Sequence, residues 1–595
     1  MGSCATGVLA IVVSLTALDS RVNDSMNEVT NSDGRDPAVA GGRPPTSARI
    51  AAPSNQSIGI PIHEGTSRYQ GLWLILAIAC LAAFVDVVVA SRSGLWGDEI
   101  LSLAKATGHR LDQANHVADP NQGDFVEPDH PVSANEFRRY LRHDHPFAGP
   151  GRVIRAVLFS EAHPPLYFLL LYAWTMALGT SDIALRLFSV ACLLACLPFV
   201  ASIARRLGGN RAVLPSCALF AFSPLTIYFA TEGRMYSLLL LCVLALMWAS
   251  LRLREDGGSL ILSAVWVLSS AAGFLTQHLF VFPWLAIVAW LLISRGKFSR
   301  RNLAVCVLLT VALILPWYLR LPFSVAGFRG TATAAWLTLR PRGFDRTVAL
   351  RDVMVQSFSG SSEQLWPFDS RNVVNHHRAL VLFGVVAAIA AWRLRLQAFR
   401  GGRLLLWLVF GAACLGPLAF DLVAHTYTMA VPRYSVAALS GAYLLVGLAF
   451  AELDRRIALI GLTLIILTWV PDISSMYRAP LPWRPLREIA HAASVNSSPS
   501  DVILVHEIPA HVFGIARYAT GSAPLASSVG PLQTRPMPDS LYALIAGRTR
   551  VIFIWNALES VPEEKWLRAN AIVSRDIRLG WYRILDFRPI NSKMF

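Results

Sequence analysis

Two adjacent carboxylates, Asp98 and Glu99 in the stretch Trp96-Gly97-Asp98-Glu99, follow directly on an apolar run at 72–91. A run of about twenty apolar residues can cross a bilayer. Acids beside hydrocarbon are costly to hold, so the pair is a candidate functional site. A carboxylate there can take the proton from an attacking hydroxyl. The structural alternative is an N-cap and a first-turn acid opening a helix, favoured by the helix dipole. Four further places bring polar groups to the ends of apolar runs: His163-Pro164-Pro165-Leu166-Tyr167, Glu232-Gly233-Arg234-Met235-Tyr236, Gln277-His278 and Arg433-Tyr434. Glu232 with Arg234 could be a plain salt bridge, and Arg433 an interfacial anchor. Taken together they fit a lipid-phosphate sugar donor. Arg offers a planar fork of donors to a phosphate. A phosphate leaving group needs charge stabilisation rather than a proton.

The elements that must position these residues are membrane helices. Of 595 residues, 54% are hydrophobic and 15% charged, against about 25% charged in an ordinary soluble protein. The net charge of +15 lies mostly in short connections, so it reports topology and not nucleic-acid binding. Seven of the eight cysteines lie in apolar segments and none forms a Cys-x-x-Cys pair, so neither a disulfide framework nor a thiolate zinc site is indicated.

Eleven apolar runs occur, near 72–91, 182–204, 212–231, 235–252, 259–278, 280–294, 303–321, 378–392, 403–420, 434–451 and 457–470. Basic connections fall at Arg205, Arg206 and Arg211; at Arg295, Lys297, Arg300 and Arg301; at Arg393, Arg395, Arg400 and Arg403; and at Arg455 and Arg456. The positive-inside rule puts all four in the cytoplasm. Asp98 and everything after residue 471 then fall outside. This parity holds if 163–179 is re-entrant or lies along the outer surface. The expectation is a polytopic α-helical membrane protein of about 11–13 spans.

Residues 1–70 read as a disordered cytoplasmic tail rich in Ser, Asn, Pro and Gly. The apolar stretch 7–18 is too short to span and lacks a preceding basic residue, which argues against a signal peptide. The first outer loop, 92–162, contains His109, His116, His130, His143 and His145, expected to be solvated. Residues 471–595 differ in kind. Asp501–Val505 and Arg550–Trp555 read as buried strands, with helices near 485–494, 509–519, 538–546 and 562–569. Alternating strand and helix predicts a small α/β domain with a partly parallel sheet. It has no Gly-rich phosphate loop.

In chain order, Asp98-Glu99, His163-Pro164-Pro165-Leu166-Tyr167, Gly179-Thr180-Ser181-Asp182 with Arg186-Leu187, Arg205-Arg206-Leu207-Gly208 and Glu232-Gly233-Arg234-Met235-Tyr236 resemble the GT-C superfamily of integral-membrane glycosyltransferases. The chain is most similar to bacterial relatives of protein O-mannosyltransferases and aminoarabinose lipid A transferases. The likeness is specific over 72–320. From 320 to 470 it rests on helix count and Arg433-Tyr434, and over 471–595 it is architectural. It implies inverting transfer of a mannose- or arabinose-type sugar from a polyprenyl-phosphate donor to an extracytoplasmic lipid, glycan or protein acceptor. Asp98 is then the catalytic carboxylate and Glu232 the second acid. His163 and Arg234 bind donor or acceptor, joined as substrate-binding candidates by Glu99, Tyr236, His278 and Arg433. Gly233 stands where the family more often has Ala. No cofactor is required; a divalent cation on Asp98, Glu99 and His163 is the alternative that the His-rich loop leaves open. The rival readings are a transporter or lipid flippase, disfavoured by the lack of an internal repeat, and a membrane scaffold for the C-terminal domain.

Overall fold

Proline, glycine and charge cut the apolar stretches into helices of unequal length. The computed structural model describes residues 65–589 except 112, 114, 161–162, 295, 323–337, 341–342, 361–377, 379, 387, 390–391, 393–398, 479–484, 507–508, 529–536 and 558–559. The expected tail therefore lies outside the described residues up to 64, and the run 378–392 is described only in part. The chain divides after Ala77, and the unit Ile78–Phe595 holds every site residue.

Among the described residues six helices are long and apolar enough to cross a membrane: Leu72–Ala90, Asp182–Gly208, Tyr236–Asp256, Arg300–Tyr318, Gly401–Ala424 and Arg455–Arg478. Asp182–Gly208 shows why such a segment forms where it does. The Ser181 hydroxyl caps the Ala184 N–H, Asp182 sits in the first turn, and Arg205 and Arg206 sit in the last. These charges complement the helix dipole. The run 212–231 is instead a pair, Asn210–Phe222 and Pro224–Ala230, bent by 58°. Pro224 cannot donate within the first helix, and Ser223 caps the second by accepting the Thr226 N–H. Four shorter apolar helices, Leu166–Leu178, Leu260–Phe274, His278–Ile293 and Ala438–Ala451, complete the set. Among the described residues six helices thus span by length alone, or seven with the bent pair as one span, and the run 212–231 shows that an apolar run does not register a bend.

Tyr236–Asp256 is the central span, with 89% of its apolar window buried, against 22% for Arg455–Arg478. The basic connections meet at one end of the helices. Arg206 pairs with Glu255, the Lys297 N–H bonds the Arg254 carbonyl, and Arg403 reaches both the Leu207 carbonyl and Glu452. Asp98 lies at the opposite end. The helix Leu166–Leu178 does not cross. At its start the Leu166 N–H bonds the Leu275 carbonyl, and near its end the Trp174 indole bonds the Ala184 carbonyl. Both partners lie toward the Asp98 end.

Helix Arg455–Arg478 runs through Pro471, so the α/β domain begins beyond residue 471, with helix Leu486–Ser494. Its sheet has five strands, in the spatial order Leu525–Ser527, Asp501–His506, Arg550–Asn556, Tyr582–Pro589 and Ala571–Leu579. β1 (Asp501–His506) pairs in parallel with β2 (Leu525–Ser527) and β3 (Arg550–Asn556). β4 (Ala571–Leu579) and β5 (Tyr582–Pro589) form an antiparallel hairpin that joins at β3. Gly580 turns it with φ +59°, a conformation suited to glycine. Val502, Leu504, Val551, Phe553 and Phe587 pack with Leu541, Leu544 and Leu567 as the domain's core.

The first loop is ordered against this domain. Val132 extends the β2 edge, exchanging backbone bonds of 2.9 and 2.7 Å with Leu525. Phe125, Phe137 and Tyr140 pack around Phe513 with ring centroids 4.7, 5.4 and 5.9 Å away. The loop is therefore not a uniformly solvated segment. His130 is exposed, but His109 is only 3% exposed. It sits 3.0 Å from Thr107 Oγ1 and 3.4 Å from Asp144.

Burial pushes the His109 imidazole down to about 4, Asp144 opposing this and Arg152 adding to it. The folded chain then binds fewer protons than the unfolded chain between about pH 4 and the ordinary histidine value. Stability is intact above that value and falls as pH drops towards 4, by about 3 kcal/mol in all. The thermal midpoint of the detergent-solubilised protein, followed through this window, should decline in the wild type and flatten in His109→Gln.

Candidate active site

The site is built on one buried ion pair. The helix Gly97–Ala106 starts from extended backbone at Trp96 and places Glu99 in its first turn. Arg186 lies just inside the span Asp182–Gly208, and both side chains are fully buried. Arg186 Nε donates to Glu99 Oε1 at 2.8 Å and Nη2 to Oε2 at 2.6 Å. The other guanidinium hydrogens go to the Ala90, Ser93 and Gly94 carbonyls at 2.8, 2.7 and 2.8 Å. Every N–H of the guanidinium therefore has an acceptor. Glu99 also accepts the Gly233 N–H at 2.7 Å and the Trp96 N–H at 3.2 Å. Three segments meet here: the end of the first span, the helix carrying Asp98, and the turn between Ala230 and Tyr236.

Asp98 precedes Glu99 and so points about 100° away around the helix. It is 27% exposed. Arg433 Nη1 reaches Asp98 Oδ2 at 2.7 Å, from the short turn Pro432–Ser435. Arg234 Nη2 lies 3.9 Å from the same oxygen. Arg234 Nη1 also donates to Ser102 Oγ at 3.0 Å, and the Ser102 hydroxyl bonds the Asp98 carbonyl at 2.8 Å. Arg433 sits 5.9 Å from the Trp96 ring centroid and 5.5 Å from that of Tyr434. Burial opposes charge on Arg433, and Tyr236, Asp98, Tyr434 and Glu232 around it more than offset that. Glu232 and Tyr236 are both 1% exposed and lie within this charged group.

Asp98, Glu232, Arg234, Tyr236 and Arg433 are thus brought together. Glu99 belongs to the same cluster, but both of its oxygens are held by protein donors. That makes it a structural partner for Arg186 and not a free substrate ligand. His278 bonds the Tyr318 hydroxyl at 3.1 Å. His163 is half-buried at the turn before Leu166. Among the described residues no three His, Cys, Asp or Glu side chains are grouped to hold a metal. The set Asp98, Glu99 and His163 does not fit a cation, because Glu99 has no oxygen left to give.

Sequence reasoning gave Arg186 no role, although an Arg within an apolar span signals a buried partner. It also missed a second hub, Asp182. The Tyr518 hydroxyl donates to Asp182 at 2.6 Å and accepts the Leu95 N–H at 2.6 Å. Arg517 and Arg487 reach the same carboxylate at 2.8 and 2.7 Å. The C-terminal domain therefore lies directly against the segment that leads to Asp98. Gly94 leaves no room for a side chain: a Cβ would sit 2.8 Å from Arg487 Cβ. A Cβ on Gly97 would come within 3.3 Å of His511 Nε2.

Removing one partner of a buried ion pair leaves the other charge unpaired, at a cost of about 3–5 kcal/mol. Glu99→Gln should therefore lower unfolding stability strongly, and more than Asp98→Asn does, because the Asp98 carboxylate is partly exposed. Equilibrium unfolding of both variants in detergent checks this. A Cβ on Gly233 would lie 2.7 and 2.8 Å from Leu185 and 3.4 Å from Glu99 Oε1. Gly233→Ala should cost about 1–3 kcal/mol by overpacking, read in the same assay.

Residues 162–319 match the family described as dolichyl-phosphate-mannose-protein mannosyltransferase. No curated protein matches the chain. Among solved structures it is similar to ArnT from Cupriavidus metallidurans bound to undecaprenyl phosphate. That match has 13% identity and a TM-score of 0.53, and covers 88% of this chain and 98% of that one. The apo form of the same protein matches at 12% identity and a TM-score of 0.53, covering 87% and 98%. The archaeal oligosaccharyltransferase AglB from Archaeoglobus fulgidus, in complex with an inhibitory peptide and a dolichol-phosphate, matches at 11% identity and a TM-score of 0.46, covering 82% and 70%. The chain thus shares the fold of ArnT, and its residues 162–319 match the mannosyltransferase family.

Proposed function

We propose that this chain transfers a sugar of the mannose or arabinose type from a polyprenyl-phosphate donor to an acceptor hydroxyl outside the cytoplasm, with inversion. The observation that carries the reading is the approach of two guanidiniums, Arg433 and Arg234, to one oxygen of a partly exposed carboxylate, Asp98. This is a place for an anion beside a base. The acceptor oxygen attacks the anomeric carbon as the bond from that carbon to the phosphate oxygen breaks. Asp98 takes the acceptor proton. The polyprenyl phosphate leaves as an anion gripped by the arginines. Glu232 adds negative charge beside Arg433. The undecaprenyl phosphate bound by the similar ArnT, and the dolichyl-phosphate-mannose chemistry named for the matched family, support this donor class. The basic connections at the end away from Asp98 support an extracytoplasmic site.

The test is sugar release from defined polyprenyl-phosphate mannose and arabinose donors by the purified chain. Asp98→Asn should lower kcat at least about 100-fold. Arg433 makes the shorter contact with Asp98, so Arg433→Lys should raise donor KM more than Arg234→Lys does, because an ammonium cannot reproduce the paired donors. Wild-type turnover by Asp98→Asn would remove Asp98 from the reaction.

A further inference from the structure

A cleft of about 1010 Å³ opens between the first loop, the start of the span Asp182–Gly208 and the C-terminal domain. Arg138, Arg142, Arg487 and Arg517 line it, with Asp182 and Tyr518. Asp98, Arg234 and Arg433 do not, so it is separate from the candidate active site. Four guanidiniums there face one carboxylate. Asp182 already engages Arg487 and Arg517. Arg138 is held by neutral groups only, its Nε bonding the Ala516 carbonyl at 2.7 Å and its other nitrogens the Ala519 carbonyl and Asn135. Arg142 is exposed, and its guanidinium has no carboxylate partner among the described residues. Burial, with Arg142 and Arg517 adding to it, pushes the Arg138 guanidinium below its usual range. Positive charge is thus concentrated in the cleft beyond what the protein neutralises. Asp182 begins a membrane span, so the cleft opens where that helix leaves the bilayer. A phosphate oxyanion is the ligand that such forked donors take best.

We propose that this cleft binds a phosphate group, as an anionic lipid headgroup or as free phosphate, at a site distinct from the donor site. The proposal does not depend on the transfer reaction. Binding to the purified full chain in zwitterionic detergent is measured by calorimetry, with dihexanoyl phosphatidic acid and with inorganic phosphate as the probes. At least one should bind. Arg142→Glu should weaken that binding at least about tenfold, since a charge-assisted contact is lost and repulsion gained. Arg142 is exposed, and Arg142→Lys, which keeps the charge but not the fork, should retain more of the affinity than Arg142→Glu. Arg433→Gln should leave the affinity unchanged. Binding of the lipid alone would identify a headgroup site, and comparable binding of both would show that the phosphate suffices. The proposal is overturned if neither probe binds, if Arg142→Glu binds like wild type, or if binding is lost in Arg433→Gln and kept in Arg142→Glu.

Discussion

The pair between Arg186 and Glu99 is the interaction on which the site depends. Burying two charges costs several kcal/mol each, and attraction repays it only where the remaining hydrogen-bonding capacity is met. Here it is met on both sides. Arg186 spends its spare hydrogens on the carbonyls of Ala90, Ser93 and Gly94, and Glu99 takes the N–H groups of Trp96 and Gly233. The network ties the exit of the first span to the turn that carries Glu232 and Arg234. Asp98 needs little fixing of its own. One residue along a helix whose next side chain is locked, it is aimed by geometry at Arg433 and Arg234.

The C-terminal domain completes this arrangement from the other side. A scaffold that merely displayed a domain would leave a linker between it and the membrane helices. Here Tyr518 bridges Asp182 and the Leu95 N–H, and Val132 of the first loop extends the domain's sheet. Glycines at 94 and 97 admit the domain's side chains at close range. The domain thereby bounds the segment leading to Asp98, and its removal would expose Phe125, Phe137 and Tyr140 of the first loop.

Much of this was legible in the sequence where local pattern decides structure. The strands at 501–505 and 550–555 are apolar runs, and helices occur close to the places expected between them. β4 escaped notice because Arg575, Asp576 and Arg578 break its apolar pattern, and most of its residues are at least partly exposed. The bend at Ser223-Pro224 hides inside a run that is apolar throughout. The cluster at Asp98 was legible as a list of polar residues at helix ends, but not as contacts. Nothing local shows that Arg433 lies nearer Asp98 than Arg234 does, although 335 residues separate it from Asp98. Nothing local shows that Glu99 is fully engaged by a residue 87 positions away. His109 misled for the same reason: what buries it is partly the Tyr140 ring, more than thirty residues along the chain.

On the proposed reading, the contact between Arg433 and Asp98 describes the site before donor binds. An oxygen that already accepts from a guanidinium is poorly placed to accept a proton as well. A lipid phosphate offers Arg433 a stronger, paired acceptor. As Arg433 turns to it, Asp98 Oδ2 is released to accept the proton of the arriving acceptor hydroxyl. Arg234 can follow only in part, because Ser102 and the Asp98 carbonyl hold its other nitrogen. The two arginines then divide the work: Arg433 exchanges between carboxylate and phosphate, and Arg234 keeps Asp98 in place while it does. Base and donor grip are linked through one atom, so a site without donor does not leave an idle base open to water.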